Sequence, residues 1–458
     1  MEERQKQIKL YLMKKQLLII FVLFFSVLGF SQGIEFEHGT WKEVLEKAKL
    51  TNKPIFIDVY TSWCGPCKMM SKNIFPLAEV GKVYNANFVC YQVDAEKGEG
   101  IEIAKKYEVM SYPTYLFIQA DGTLFSRSVG SMPAEKFIAV SNAAIADMND
   151  PKPFSEWEKE YAEKKNDPAF LLDYINKRLK LGKSTAQLFD EYLALLPNDQ
   201  RASDKIIEIY HKESRNITIN SLAFKNLQDN ATLFFPKLGG YVYVFMIGAI
   251  DNSFREACKD KNEQLLQQVV DANEKLPKTS QSKQKEELYM NYYKQTNNLD
   301  KYISNATIYS DASLMTVSFD SIAKTDKKAL QLFETTQRKE LEGKIDSTQL
   351  AQLRDYVAHM SRDKYSQALN SVAWGFFEKV ADAKALENAL GWSKRSLEIY
   401  PDNHMFIDTY ANLLYKLGQK AKAISKETEA LNFAKSSKSD TKGYEETLKK
   451  MNSGEKTW

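Results

Sequence analysis

The sequence predicts a small α/β domain followed by a large all-α helical array, and three observations predict it. Up to about residue 147, short apolar runs alternate with helical runs, the pattern of buried strands covered by helices. At Pro151-Lys152-Pro153 the character changes. Beyond it glycine becomes rare, strand-like alternation largely disappears and helical periodicity dominates to the C-terminus.

Taken in order, Thr40 caps a helix that sets Trp41, Val44, Leu45 and Ala48 on one face, and Lys53-Pro54 ends the turn after it. Ile55–Tyr60 reads as a strand buried on both faces, interrupted only by Asp58. Further strands are expected at 88–93, Thr114–Ile118 and Leu124–Val129. A helical run at 101–107 separates the first of these from the second, and Asp121-Gly122 turns a hairpin between the last two. These elements place one α/β domain at 35–147.

The α-helical region is expected at 151–365. Phe170-Leu171-Leu172 with Tyr174-Ile175, Leu188-Phe189 with Tyr192-Leu193, and Ile206-Ile207 with Ile209-Tyr210 each mark an apolar helix face. In 366–440, Ala411, Leu414, Gly418, Ala423 and Ala430 fall at offsets resembling the small-residue positions of a tetratricopeptide repeat. A shift of roughly 34 residues brings Phe377, Val380, Ala389 and Ser396 into register, with Pro401 as the closing proline. A pair of such repeats is expected at about 370–437, and 441–458 reads as a C-terminal tail.

The N-terminus carries its own signal. Lys14 and Lys15 precede an apolar run from Leu17 to Phe30 that exits at Ser31 and Gln32. These are the parts of a secretory signal peptide, expected over 1–32, and the run falls short of the roughly 20 residues that span a bilayer. A retained anchor is the alternative reading. Met13-Lys14-Lys15 resembles a natural start, which would make 1–12 a start-site artefact. Export places the mature chain where disulfides persist, in the periplasm if the source is a Gram-negative bacterium. Four cysteines in 458 residues are too few to scaffold the fold. A net charge of +3, from 63 basic and 60 acidic residues, argues for no nucleic-acid partner.

The chemistry concentrates in Trp63-Cys64-Gly65-Pro66-Cys67-Lys68, directly after the buried strand and at the start of a helix. The thiolate is the nucleophile of disulfide exchange, and a helix N-terminus stabilises it with unpaired N–H groups and a favourable dipole. Cys64 sits there. Two intervening residues bring Cys67 to bonding range, and Pro66 is tolerated in a first turn. Asp58, a lone carboxyl in an apolar strand, is expected to have a raised pKa and to act as a proton acceptor. A permanent disulfide or half of a zinc site are the bland alternatives. Zinc needs more ligands, and His38, His211, His359 and His404 are scattered. Cys90 and Cys258 read as buried small apolar residues. No cofactor is implied.

These residues resemble the thioredoxin family. Trp-Cys-Gly-Pro-Cys-Lys after an apolar strand matches its active site, Asp58 matches the buried carboxylate six residues before the first cysteine, and Tyr112-Pro113-Thr114 matches the cis-proline segment facing the dithiol. The likeness covers roughly 35–147 and implies the thioredoxin fold. The stretch 75–87 followed by Val93-Asp94 is more similar to exported thioredoxin-like domains related to disulfide reductases. One departure is Cys90, where the family carries the lysine that pairs with the carboxylate. The resemblance implies a thiol:disulfide oxidoreductase, in the reducing direction. Cys64 would be the nucleophile and Cys67 the resolving thiol, joined as a Cys64–Cys67 disulfide when oxidised. Asp58 would handle the Cys67 proton, Pro113 would be cis, and Trp63, Gly65, Pro66 and Tyr112 would meet substrate. Protein disulfides are the expected substrates and a membrane electron-transfer protein the expected reductant. The alternatives are a disulfide isomerase or oxidase, or a helical adapter or chaperone that binds proteins on its array and carries an accessory redox domain.

Overall fold

The computed structural model describes residues 33–277, 283–342 and 345–458; the export signal expected over 1–32 lies outside them. They divide into two compact units, 33–217 with 221–233, and 218–220 with 234–458. The division falls inside the 151–365 helical region rather than at either end of it.

The first unit opens on a thioredoxin fold. Five strands, β1 (Phe36–Glu37), β2 (Ile55–Tyr60), β3 (Val89–Asp94), β4 (Thr114–Ile118) and β5 (Leu124–Val129), order as β1-β3-β2-β4-β5. β1 and β2 run parallel to β3, β4 runs antiparallel to β2, and the β4–β5 hairpin turns through Gly122 at φ 89°. β2 is central and β4 beside it is wholly buried, which is why both read as mostly apolar runs, β2 interrupted only by Asp58. β1 escapes sequence reading because two residues carry no period.

Five helices accompany the sheet: α1 (Trp41–Thr51), α2 (Gly65–Asn73), α3 (Ala78–Asn87), α4 (Glu99–Lys106) and α5 (Ala134–Met148). Thr40 and Glu43 form a reciprocal cap on α1. The core on one face is aromatic. Phe137 of α5 stacks on Tyr84 of α3 at 4.5 Å and meets Phe56, Phe75 and Tyr115 at 6.0, 5.6 and 4.9 Å, while the Tyr84 hydroxyl donates to the Phe137 carbonyl. The stretch 75–87 thus holds a turn followed by α3, and supplies Phe75, Val80 and Tyr84 to this core. Helices α6 (Phe154–Lys164), α7 (Pro168–Lys180), α8 (Ala186–Leu195), α9 (Asp204–Glu213) and α10 (Leu222–Asp229) follow. Lys177 of α7 pairs with Asp150 at 2.5 Å, and the Arg127 guanidinium of β5 donates to the Gly182 carbonyl.

The second unit is helical: α11 (Tyr241–Asp260), α12 (Glu263–Glu274), α13 (Lys285–Gln295), α14 (Leu299–Tyr309), α15 (Phe319–Leu332), α16 (Ser347–Ala358), α17 (Met360–Lys379), α18 (Ala383–Ile399), α19 (His404–Lys416), α20 (Lys420–Ser436) and α21 (Lys442–Ser453). Ala389, Ala411, Ala423 and Ala430 are fully buried, where small side chains let neighbouring helices approach closely. Residues 441–458 are not a tail. α21 forms there because Met451 closes a core with Ala411, Leu414 and Ala423, and Gly454 ends the helix in the left-handed conformation.

Candidate functional site: a dithiol at a helix N-terminus

The C-terminal end of β2 delivers the chain to the dithiol. Cys64 is the N-cap of α2, and its Sγ accepts the Cys67 backbone N–H at 3.1 Å, the bond a capping oxygen would make. Pro66 occupies the first turn, where a missing N–H leaves nothing unpaired. Cys64 and Cys67 form a disulfide with Cα atoms 5.3 Å apart. Both are nearly buried, at 4% and 5% exposure, yet a Cβ built on Gly65 between them would meet only open space. The sulfurs therefore lie just below an uncrowded surface. A thiolate released at Cys64 would face the unpaired N–H groups and positive end of α2, which lowers a thiol pKa.

Trp63 stands beside them, 65% exposed. Its indole N–H donates to Glu96 at 2.9 Å, and its ring meets the edge of Tyr112 at 6.0 Å. The Tyr112–Pro113 peptide is cis, and the Thr114 hydroxyl donates to the Ser111 carbonyl at the same turn. Met110, two residues before Tyr112 in the chain, is 85% exposed. Sequence reading missed Glu96 and Met110. Glu96 lies 33 residues from the indole it holds, and no local pattern marks such a contact.

Asp58 is 2% exposed in β2, and burial pushes its carboxyl up to about 7. Its opposite residue in the parallel register is Gln92, whose side-chain amide donates to Oδ2 at 2.8 Å and works against that rise. Oδ1 has no hydrogen-bond partner among the described residues. Cys90, which the resemblance sets at the family's lysine position, does not lie opposite Asp58. Cys90 pairs instead with Phe56, lies in the aromatic core, and burial raises its thiol to about 12, so it stays protonated. A cavity of about 360 Å³ beside the dithiol is lined by Thr61, Cys67, Lys68, Lys72 and Gln92, giving solvent a way to Cys67 and to the Gln92 side chain.

Cys258, expected to be buried, is only partly so on α11, and its thiol is raised by what burial it has. Among the described residues no group of three or more His, Cys, Asp or Glu is placed to hold a metal ion. His404 bonds Tyr444 through Nδ1 at 2.6 Å, far in sequence from the other histidines.

A family model described as a thioredoxin-like domain matches residues 41–145. A thioredoxin of Mycoplasmoides gallisepticum is 33% identical over 97 residues, covering 21% of this chain and 90% of that protein. The chloroplastic thioredoxin Y2 of Arabidopsis thaliana is 32% identical over 88 residues, 19% of this chain, and the chain spans about half of that relative's length, 49%. Among solved structures, a candidate disulphide-isomerase from Bacteroides thetaiotaomicron is 39% identical, covering 25% of this chain and 94% of that one, with a TM-score of 0.24.

Proposed function

Because the chain belongs to the thioredoxin-like family through residues 41–145, we propose that it is an exported protein-disulfide reductase working through a mixed disulfide on Cys64. The observation that carries this reading is the position of Cys64 as the cap of α2, with its sulfur on the Cys67 N–H and open space over Gly65. In the reduced protein the Cys64 thiolate attacks one sulfur of a substrate disulfide. A bond forms between Cys64 and that sulfur, and the other substrate sulfur leaves as a thiolate and takes a proton. Cys67 then attacks Cys64, the second substrate thiol is released, and two electrons have passed from the dithiol to the substrate.

Cys67 must lose its proton to attack. A carboxyl that titrates near 7 is matched to this task, which supports Asp58 as acceptor, reached through the solvent beside Cys67 and Gln92. Gly65 and Pro66 leave the approach open, and Trp63, Tyr112 and Pro113 form the wall a substrate chain would meet. Turnover needs a reductant, which we assign to a membrane electron-transfer protein facing the same compartment. The buried alanines of 366–440 support a tetratricopeptide-like array there, serving to recruit protein partners.

The test is turnover of a peptide disulfide by the full chain with a dithiol as electron source, together with the potential of the Cys64–Cys67 couple. A reductase has a potential below about −220 mV and reduces disulfides faster than it oxidises thiols. A potential near that of strong oxidants, with thiol oxidation the faster reaction, would instead favour an oxidase or isomerase. An adapter whose redox domain is accessory would keep its partner binding and its cellular role in Cys64→Ser.

A further inference from the structure

The second unit contains a polar cleft with no part in the dithiol chemistry. It has a volume of about 390 Å³, in the range of small-ligand sites, and opens between α13, α14 and α17. Met290, Ala368 and Val372 contribute its apolar lining, and Lys294, Lys364 and Tyr302 its donors. The acidic group within it is Glu287, whose carboxyl is shared with the Tyr309 hydroxyl and held above the usual carboxylate range by burial. Lys364, which together with Lys283 works against that rise, and Lys294 line the same cleft.

Tyr302 gives the cleft its direction. The residue is 1% exposed, and its hydroxyl has no hydrogen-bond partner among the described residues. An unpaired buried hydroxyl costs about 1–3 kcal/mol, so native proteins rarely keep one without a reason. Gly375 on α17 makes room for it: a Cβ there would collide with the Tyr302 hydroxyl and approach Lys294 Nζ to 2.9 Å. A missing side chain on one helix therefore brings a buried phenol and an ammonium from two others together. Burial and the nearby Glu378 raise the phenol above its ordinary range, so it keeps its proton and can only donate or accept as a neutral hydroxyl. Glu378 is itself engaged by the Trp374 indole N–H at 2.8 Å.

We propose that this cleft binds a carboxylate carried on an apolar stem, with the Lys294 ammonium and the Tyr302 hydroxyl as donors to the carboxylate and the lining of Met290, Ala368 and Val372 around the stem. A monoanion fits better than a phosphate dianion, because Glu287 shares the cleft. Two sources present this chemistry, the C-terminal carboxylate of a polypeptide and a free short-chain acid.

The experiment is calorimetric titration of the full chain with three probes: an acetylated four-residue peptide of alanine and leucine with a free C-terminal carboxylate, the same peptide amidated, and valerate. Saturable binding of the free-acid peptide, with the amide at least about tenfold weaker, assigns a polypeptide terminus. Saturable binding of valerate alone assigns a free acid. In either case Lys294→Met and Tyr302→Phe should each weaken binding by about tenfold, the second being the smaller structural change, with helix content by circular dichroism unaltered. The proposal is overturned if neither acid saturates at about 10 mM. It is equally overturned if the amide binds as well as the acid, or if both folded variants bind like the native chain.

Discussion

The 41–145 domain and the terminal helices at 404–453 solve the same packing problem with different materials. In the first, a few large rings share one space: Phe137 alone meets Phe56, Phe75, Tyr84 and Tyr115. In the second, alanines at 411, 423 and 430 let helices close on one another, with Leu414 and Met451 as the larger buried side chains of the terminal core. The aromatic core suits a domain that must hold a dithiol, a cis-proline turn and a buried carboxylate in fixed relation. Helix-on-helix contact through small residues suits a region built of helices alone, with clefts between them. What differs in function follows from this. Reactive groups gather at one end of β2, whereas the helical unit offers surfaces.

The sharpest break in the comparison comes from Cys64→Ser. It should lower disulfide turnover by at least about a thousandfold, while thermal unfolding of the helical signal stays within about 1 kcal/mol of the native chain's. Next in size is Phe137→Ala, expected to cost about 3–5 kcal/mol in denaturant unfolding of the dithiol domain. Met451→Ala should cost about 2–3 kcal/mol, and only in the helical unit. Equal costs spread over both signals would contradict the separation of the two cores.

Asp58→Asn divides chemistry from stability. A carboxyl whose folded pKa is raised to about 7 contributes fully below its unfolded value near 3.8, and that stability is lost as pH rises from there to 7. The asparagine variant should therefore be more stable than the native chain at pH 8, by an amount on the order of 2–4 kcal/mol, and no more stable at pH 4. Its second, resolving step should be slower and should lose the rise in rate that native protein shows through pH 7. Gln92→Ala is the smallest effect. Removing the amide that steadies the Asp58 carboxylate should move the midpoint of that rise upward by about half a pH unit to one unit. A downward shift would mean that Gln92 does not act on the ionised form.

The fold class was legible because its signals are local. Ile55–Tyr60 is an apolar strand broken only by Asp58, Asp121-Gly122 marks a hairpin, and the scarcity of glycine after Pro153 marks the helical region. The two cysteines were legible because helix-start spacing is local too. What escaped depends on register and distance. Gln92 faces Asp58 across 34 residues through parallel pairing, and Glu96 reaches the Trp63 indole across 33. Cys90, two positions before Gln92 on β3, lies opposite Phe56 by the same pairing. The helix at 442–453 was missed because its polar, lysine-rich face hides one anchoring residue, Met451.

The measurement that tests the central claim most directly is mass mapping of Cys67→Ser after incubation, in reduced form, with a peptide disulfide. The account predicts a stable adduct on Cys64 that a dithiol releases, and no adduct on Cys64→Ser at the remaining Cys67. No adduct on Cys64, or an equal one on Cys67 in the reciprocal variant, would contradict it.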